Sequence, residues 1–205
     1  MKNNMKSGLM LGVNPNAERQ KEDFYATEPN ALKLFLDKIA EDQFELQGCI
    51  WECACGQGHL AEELKRNGYT VKATDIIDRG YGDGIGDFLK QETRVWHISI
   101  LTNPPFKLAE QFVEKGIDLI QDGYNLCLFL KIQFLEGQKR KELFKKYPPK
   151  YIYCYSARQK CAKDGEFEKY TATTQFYAWY VWEKGYIGET ILRWFQETAK
   201  RLCYP

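Results

Sequence analysis

The tetrapeptide Asn103-Pro104-Pro105-Phe106 contains the residue types in this sequence that most directly suggest chemistry. Two consecutive prolines fix the backbone and remove two N–H donors, which leaves carbonyl oxygens available to a ligand. The Asn103 side-chain oxygen and the Pro104 carbonyl are suited to accept both protons of one planar NH2 group. Phe106 offers a flat ring on which a nucleobase can stack. The tetrapeptide therefore predicts a site for a conjugated amine.

A glycine-rich segment lies upstream, within IWECACGQGHLA at residues 50–61. Its pattern predicts a strand, then a turn whose glycines let the backbone approach a ligand closely, then the N-terminus of a helix. Gly56, Gly58 and Ala61 also satisfy the dinucleotide-binding pattern G-x-G-x-x-A. The segment alone therefore does not distinguish a nicotinamide cofactor from an adenosyl cofactor, or either from a tight turn without a ligand.

Two acidic residues follow other predicted strands. Asp75 ends the strand after the glycine-rich segment, where an acid can accept hydrogen bonds from both hydroxyls of a ribose. Asp87 and Phe88 follow a third strand, expected between residues 75 and 87, and are suited to hold an adenine ring and its amino group. Ligands of open α/β sheets bind beyond the carboxyl ends of the strands, so we expect these residues near Asn103 at one edge of the sheet.

Helix-like and strand-like segments alternate along the chain and would position these residues. The predicted helices are 29–40, 59–67, 108–121 and one that ends near residue 147, and the predicted strands are 47–53, 69–74, 95–101, 124–131, 151–155 and 175–182. This alternation predicts a parallel, doubly wound sheet. The last two strands leave no room for a helix between them, so we expect an antiparallel pair at one edge. Residues 1–20 are predicted to form a flexible arm before a single domain over 21–205.

Composition limits the class of protein. With 44% hydrophobic and 28% charged residues in 205, the chain is typical of a soluble globular protein, and its net charge of +1 predicts no polyanionic partner. Residues 138–163, however, contain nine basic residues and one acidic residue. This run favours a solvated helix face and a phosphate-binding surface about equally.

Cysteine usage and hydropathy predict the location and exclude some ligands. The seven cysteines are scattered and no signal peptide precedes them, which is typical of reduced thiols and a cytoplasmic protein. They do not combine with His59 and His97 into a four-ligand zinc pattern, so we predict no metal. No apolar run approaches the roughly 20 residues that cross a bilayer, so we predict no membrane partner.

The order of these motifs resembles that of class I S-adenosylmethionine-dependent methyltransferases, specifically the small phage or prophage adenine-N6 DNA methyltransferases. Asp23–Pro29 (DFYATEP) is similar to the family segment that holds the methionine moiety, and Glu52–Gly58 to its glycine-rich motif. Asp75 matches the ribose-binding acid, Asn103–Phe106 the N-P-P-F tetrapeptide, and Phe176–Tyr186 the final strand. The sequence departs from the family at Cys53, where proline is common. It also lacks an inserted recognition domain, so we expect modest site selectivity, supplied by residues 156–173.

The resemblance implies a Rossmann-like α/β fold with a mostly parallel seven-stranded sheet, one antiparallel edge strand and helices on both faces. It implies S-adenosyl-L-methionine as cofactor and DNA as substrate, with direct in-line methyl transfer to N6 of a flipped adenine. The implied catalytic residues are Asn103, Pro104, Pro105 and Phe106. The implied cofactor-binding residues are Tyr25, Ala26, Thr27, Glu52, Ala54, Cys55, Gly56, Gly58, Asp75, Ile76, Asp87, Phe88 and Asn103. Lys131, Arg158 and Lys160 are predicted to bind phosphates.

Three alternatives remain open from the sequence. Methyltransferases acting on RNA or on a protein glutamine amide also use N-P-P-[FY], although they more often have tyrosine at the position of Phe106. A catalytically silent nucleic-acid-binding module could keep the same fold, but the intact motifs argue against it. A nicotinamide dehydrogenase would leave Asn103–Phe106 unexplained. The sequence does not indicate which oligomeric state the protein adopts.

Overall fold

The structure is a computed structural model that describes residues 25–157, 159, 161–163, 167 and 175–195. The predicted arm over residues 1–20, and Asp23 and Phe24 of the N-terminal motif, lie outside the described residues. So do the predicted phosphate-binding residues Arg158 and Lys160, and most of the loop expected to supply selectivity.

Ten strands and four α-helices make up the described part of the chain. The strands are β1 Tyr25–Thr27, β2 Cys49–Glu52, β3 Val71–Asp75, β4 Gly84–Ile85, β5 Ile98–Thr102, β6 Asn125–Lys131, β7 Tyr151–Cys154, β8 Cys161–Lys163, β9 Tyr177–Glu183 and β10 Ile191–Trp194. The helices are α1 Pro29–Glu41, α2 His59–Arg66, α3 Ala109–Leu119 and α4 Gln138–Lys146. Within the described ranges, no helix combines the length and apolar character needed to span a membrane.

The main sheet confirms the predicted α/β fold class. Its order is β10-β7-β9-β6-β5-β2-β3-β4 in the described residues. Every neighbouring pair is parallel except where β9 runs antiparallel to both β6 and β7. The expected antiparallel pairing of the last two predicted strands is therefore present, and the four predicted helices are found within a few residues of their expected ends.

Two details of the sheet differ from the prediction. The described sheet has eight strands instead of seven, because β10 adds to the outer side of β7. The antiparallel strand lies between β6 and β7 and is not the edge strand itself. Burial gives the physical reason: six of the seven residues of β9 are buried, as expected for a strand inside a sheet, whereas three of the four residues of β10 are exposed.

Hydrophobic packing on both faces holds the sheet in place. Leu32 and Phe35 of α1 and Leu64 of α2 belong to the core on one face, which also contains buried residues of β6 and β9. Phe112 of α3 and Leu143 of α4 belong to the core on the other face. The apolar run of β6 is completely buried because both of its faces are covered. This arrangement fixes the carboxyl ends of β2, β3, β5 and β6 at one edge of the sheet.

A short two-stranded ribbon lies beside this edge and was not predicted. Strand β1 pairs antiparallel with β8, with Tyr25 opposite Lys163 and Thr27 opposite Cys161. Each strand has three residues, too few to show a hydrophobic period. The ribbon brings the described part of the N-terminal motif against the main sheet.

Candidate active site

A cleft of about 880 Å³, counting the solvent space at its mouth, opens at the carboxyl ends of β2, β3 and β5. The structure brings these residues predicted from the sequence into its wall: Tyr25, Ala26, Thr27, Glu52, Ala54, Cys55, Asp75, Ile76, Asp87, Phe88, Asn103, Pro104, Pro105 and Phe106. Gly56 and Gly58 lie in the turn behind the wall.

The turn between β2 and α2, the glycine turn, requires glycine at position 58 for two reasons. Gly58 precedes α2 in the left-handed conformation, with φ at 86°. A Cβ atom there would lie 2.5 Å from the ring of Tyr81, much too close for a van der Waals contact. The Tyr81 hydroxyl donates to Glu62 of α2 at 2.6 Å, which holds the ring in this place.

The backbone N–H groups of the turn are largely engaged within the protein. The Gly56 N–H donates to Asp75 Oδ2 at 2.8 Å, and the Ala54 N–H lies 3.4 Å from Glu52 Oε1. Two further N–H groups of the turn donate to backbone carbonyls. A pyrophosphate needs such donors and avoids carboxylates. This arrangement does not favour the dinucleotide interpretation of the G-x-G-x-x-A pattern.

Two buried acids line the cleft. Glu52 is 1% exposed, and burial raises its pKa to about 8, with the nearby Asp75 carboxylate adding to the shift. The Thr102 hydroxyl donates to Glu52 Oε1, and the Ile77 N–H donates to Asp75 Oδ1 at 3.0 Å. Within the described ranges, neither acid forms a salt bridge. A positively charged ligand in the cleft would therefore be stabilised and would lower the pKa of Glu52.

The residues expected around an adenine ring differ in exposure. Asp87 Oδ1 accepts a hydrogen bond from the Leu89 N–H at 3.0 Å and caps a short 3-10 turn. Phe88 is 3% exposed and packs against Trp51 and Phe112, so much of its ring belongs to the core. Ile76, in contrast, is 59% exposed on the cleft wall. It provides the apolar surface that a planar ring can cover.

The Asn103 amide is held in one orientation by β1. Its Nδ2 atom donates to the Tyr25 carbonyl at 3.0 Å and to Thr27 Oγ1 at 2.9 Å. Because a carbonyl oxygen only accepts hydrogen bonds, the NH2 end of the amide must face β1. The Oδ1 atom is buried and has no partner among the described residues. An acceptor left in this state costs free energy, which a ligand with an N–H donor would recover.

The neighbouring groups extend this acceptor into a pocket. Pro104 is a buried residue, and among the described residues its carbonyl accepts no hydrogen bond. The ring of Phe106 lies 5.9 Å from that of Tyr177, with an angle of 33° between the planes. Lys131 Nζ lies 4.7 Å from the Phe106 ring centre. Two acceptors, a partly exposed aromatic ring and an ammonium group therefore meet at the ends of β5 and β6.

Several residues of the cleft were not predicted. His59 begins α2 on the cleft wall, and burial lowers its pKa. Its place directly after Gly58, at a helix N-terminus, is the signal that could have identified it. The other unpredicted lining residues are Cys53, Leu60, Ile77, Arg79, Gly86, Leu89, Leu108 and Phe112.

The basic run beyond β6 is partly used inside the protein. Arg140 Nε donates to Glu110 at 3.0 Å, and Lys150 Nζ to Glu183 at 2.6 Å. Lys145 and Lys146 on α4 are exposed. The excess of basic residues in the sequence therefore overstates the charge available to a polyanion.

Comparison with known proteins supports the fold. No protein-family model and no curated protein sequence matches the chain. A putative RNA methyltransferase from Pyrococcus horikoshii superposes with a TM-score of 0.58 at 14% identity, covering 83% of this chain and 90% of the other. A putative class I S-adenosylmethionine-dependent methyltransferase from Listeria monocytogenes gives 0.57 at 15% identity, with coverage of 93% and 69%. A predicted O-methyltransferase from Agrobacterium tumefaciens gives 0.55 at 13% identity, with coverage of 78% and 87%. The chain has the fold of the class I S-adenosylmethionine-dependent methyltransferases.

Proposed function

We propose that this protein is an S-adenosylmethionine-dependent methyltransferase that methylates the N6 amino group of adenine in DNA. The observation that carries the proposal is the hydrogen bonding of the Asn103 amide. Its NH2 group donates to two oxygens of β1, and its buried Oδ1 has no partner among the described residues. That oxygen and the Pro104 carbonyl form a receptor for a group that donates two protons.

The charge of the cleft supports the cofactor. S-adenosylmethionine supplies an electrophilic methyl group on a positively charged sulfur, and its amino acid part carries an ammonium group. Glu52 and Asp75 are buried acids without a salt bridge in the described residues, so they suit a cationic ligand. Asp75 would hold the ribose hydroxyls, and the exposed Ile76 would contact the adenine ring of the cofactor. The residues present therefore fit this group.

The number of acceptors favours an amine over a hydroxyl as the target. An exocyclic NH2 group has two protons and satisfies both Asn103 Oδ1 and the Pro104 carbonyl. A hydroxyl has one proton and would leave a buried acceptor unpaired, at a cost of about 1–3 kcal/mol. Holding both protons also favours a pyramidal nitrogen, whose lone pair is no longer delocalised into the ring and points at the methyl group of the cofactor. Positioning and electrostatic stabilisation would then supply most of the rate acceleration.

The surroundings of the acceptors favour a nucleobase. Phe106 offers a ring for stacking, and base–aromatic stacking contributes about 1–3 kcal/mol. Lys131 Nζ lies over that ring, so it would have to move off the ring when a base stacks there, and it would then pair with a phosphate of the flipped nucleotide. The choice of DNA and adenine rests on the resemblance of Asp23–Pro29 and Asn103–Phe106 to the adenine-N6 enzymes.

A labelled-methyl transfer assay tests this proposal. The protein is incubated with tritiated S-adenosylmethionine and, separately, with DNA, RNA or a ribosomal extract. We expect label in the adenine of DNA. If label appears only in RNA or only in protein, that molecule and not DNA is the substrate. If the protein neither binds the cofactor nor transfers label to any of the three, the proposed activity is wrong.

A further inference from the structure

We propose that Thr27 is a positioning residue whose hydroxyl, together with the Tyr25 carbonyl, orients Asn103 so that the amide oxygen faces the target. This inference rests on the proposed role of Asn103. It gives Thr27 a function different from contact with the methionine moiety of the cofactor, which the sequence resemblance implies.

The amide needs such a device because its own torsion does not select an orientation. Rotation about the last side-chain bond of asparagine is broad and roughly two-fold, so a half turn exchanges the oxygen and the nitrogen. In the structure both N–H groups are engaged, one by the Tyr25 carbonyl at 3.0 Å and one by Thr27 Oγ1 at 2.9 Å. Without the hydroxyl, one N–H group would be buried with no acceptor, and the amide would lose its preferred orientation.

The position of Thr27 is itself well determined. The residue is 2% exposed and pairs with Cys161 across the ribbon of β1 and β8. The hydroxyl also interacts with the Cys161 thiol. The ribbon therefore holds Oγ1 at a fixed place beside the end of β5, where Asn103 follows.

Matched substitutions separate positioning from general stability. Thr27→Val removes the hydroxyl and keeps the shape, whereas Thr27→Ser keeps the hydroxyl. Ser99→Ala is the control, because Ser99 is a buried hydroxyl at the opposite end of β5, bonded to the Gln47 carbonyl at 2.8 Å. We expect Thr27→Val to lower kcat roughly tenfold with KM and cofactor affinity changed less than about twofold. We expect Thr27→Ser and Ser99→Ala to keep kcat within about twofold of the wild type.

A second measurement works without any activity. In nitrogen-15 NMR spectra of the cofactor-free protein, the side-chain NH2 signals of Asn103 should shift and exchange faster with water in Thr27→Val but not in Ser99→Ala. Unchanged signals together with wild-type kcat in Thr27→Val would overturn the inference. If Thr27→Val does not fold, Thr27→Ala has the same expected results. If the wild-type protein transfers no methyl group, the proposed function fails, and the NMR signals alone decide the role of Thr27.

Discussion

The two halves of the cleft differ in how their hydrogen bonds are satisfied. In the half formed by the glycine turn, the N–H groups of Ala54 and Gly56 are directed at Glu52 and Asp75. In the half formed by the end of β5, the NH2 group of Asn103 is engaged, but its oxygen has no partner among the described residues. In the described residues the first half, the charged half, therefore contains two buried carboxyl groups without a salt bridge. The second half, the acceptor half, contains an acceptor without a donor.

This difference shows what each half would require of a ligand. Buried carboxyl groups without a salt bridge call for positive charge, and unpaired acceptors call for N–H protons. A cationic methyl donor and a conjugated amine meet these two requirements at adjacent places in one cleft. The comparison can be tested by changing one half and measuring whether the other half still works.

Replacing Asn103 should have the largest effect and should act on the acceptor half alone. We expect Asn103→Ala to reduce single-turnover methyl transfer by roughly 100- to 1,000-fold, because it removes an oriented group that acts in the transition state. Cofactor affinity, measured by calorimetry, should change less than about threefold, since Glu52 and Asp75 remain. Wild-type transfer in this variant would remove Asn103 from the mechanism, and equal loss of cofactor binding would show that the halves are not separate.

A substitution in the glycine turn should damage the charged half through its backbone. Gly58→Ala combines a positive φ with a Cβ placed 2.5 Å from the Tyr81 ring, and we expect it to lower the free energy of unfolding by about 3 kcal/mol. Gly68 is the control, because it has the same φ of 86° and nothing within 4 Å of an added Cβ. Gly68→Ala should cost only about 1–2 kcal/mol. Equal losses in urea unfolding would contradict a special role for the Tyr81 contact.

The raised pKa of Glu52 predicts a pH dependence of stability. The folded protein keeps this carboxyl protonated up to about pH 8, whereas an unfolded chain releases the proton near 4.5. The folded state therefore binds more protons between these values, and the unfolding free energy should fall as pH rises through this window, by at most about 1.4 kcal/mol per unit. Above pH 8 this contribution should be constant.

Glu52→Gln should remove that fall, and Glu45→Gln, at an exposed position, should not. Urea unfolding at several pH values measures the difference. Cofactor binding at pH 7 should also release a proton from the wild-type protein but not from Glu52→Gln, as calorimetry in two buffers would detect. Identical pH profiles for the wild type and Glu52→Gln would refute the burial of an uncompensated acid in the charged half.

Replacing Lys131 should have the smallest effect and should act on the acceptor half through its substrate. If the ammonium group beside Phe106 contacts one phosphate, Lys131→Met should reduce the slope of log affinity against log salt by about one. Lys145→Met on α4 is the control, because this exposed lysine lies in the basic run. Filter binding of DNA between low and moderate salt provides the measurement, and equal slopes for both variants would contradict the contact.

The sequence predicted the parts of this structure that are coded locally. The helical spacing of apolar residues predicted α1, the glycines predicted the turn at Gly58, and the double proline predicted the site at the end of β5. The hydrogen bonds that orient Asn103 could not be predicted, because they join residues 76 and 78 positions apart in the chain. The strands of the β1–β8 ribbon were also missed, since three residues give no readable period. Strand β10 was missed as well, and three of its four residues are exposed.

Analysis of the methylated product tests the central claim most directly. DNA treated with the wild-type protein and S-adenosylmethionine is digested to nucleosides and examined by mass spectrometry, with Asn103→Ala as the paired sample. We expect a methyl group on the exocyclic nitrogen of adenine, present with the wild type and absent with the variant. A methyl group on a ring carbon or on a hydroxyl oxygen, formed equally by both proteins, would contradict a receptor built from two unpaired acceptors.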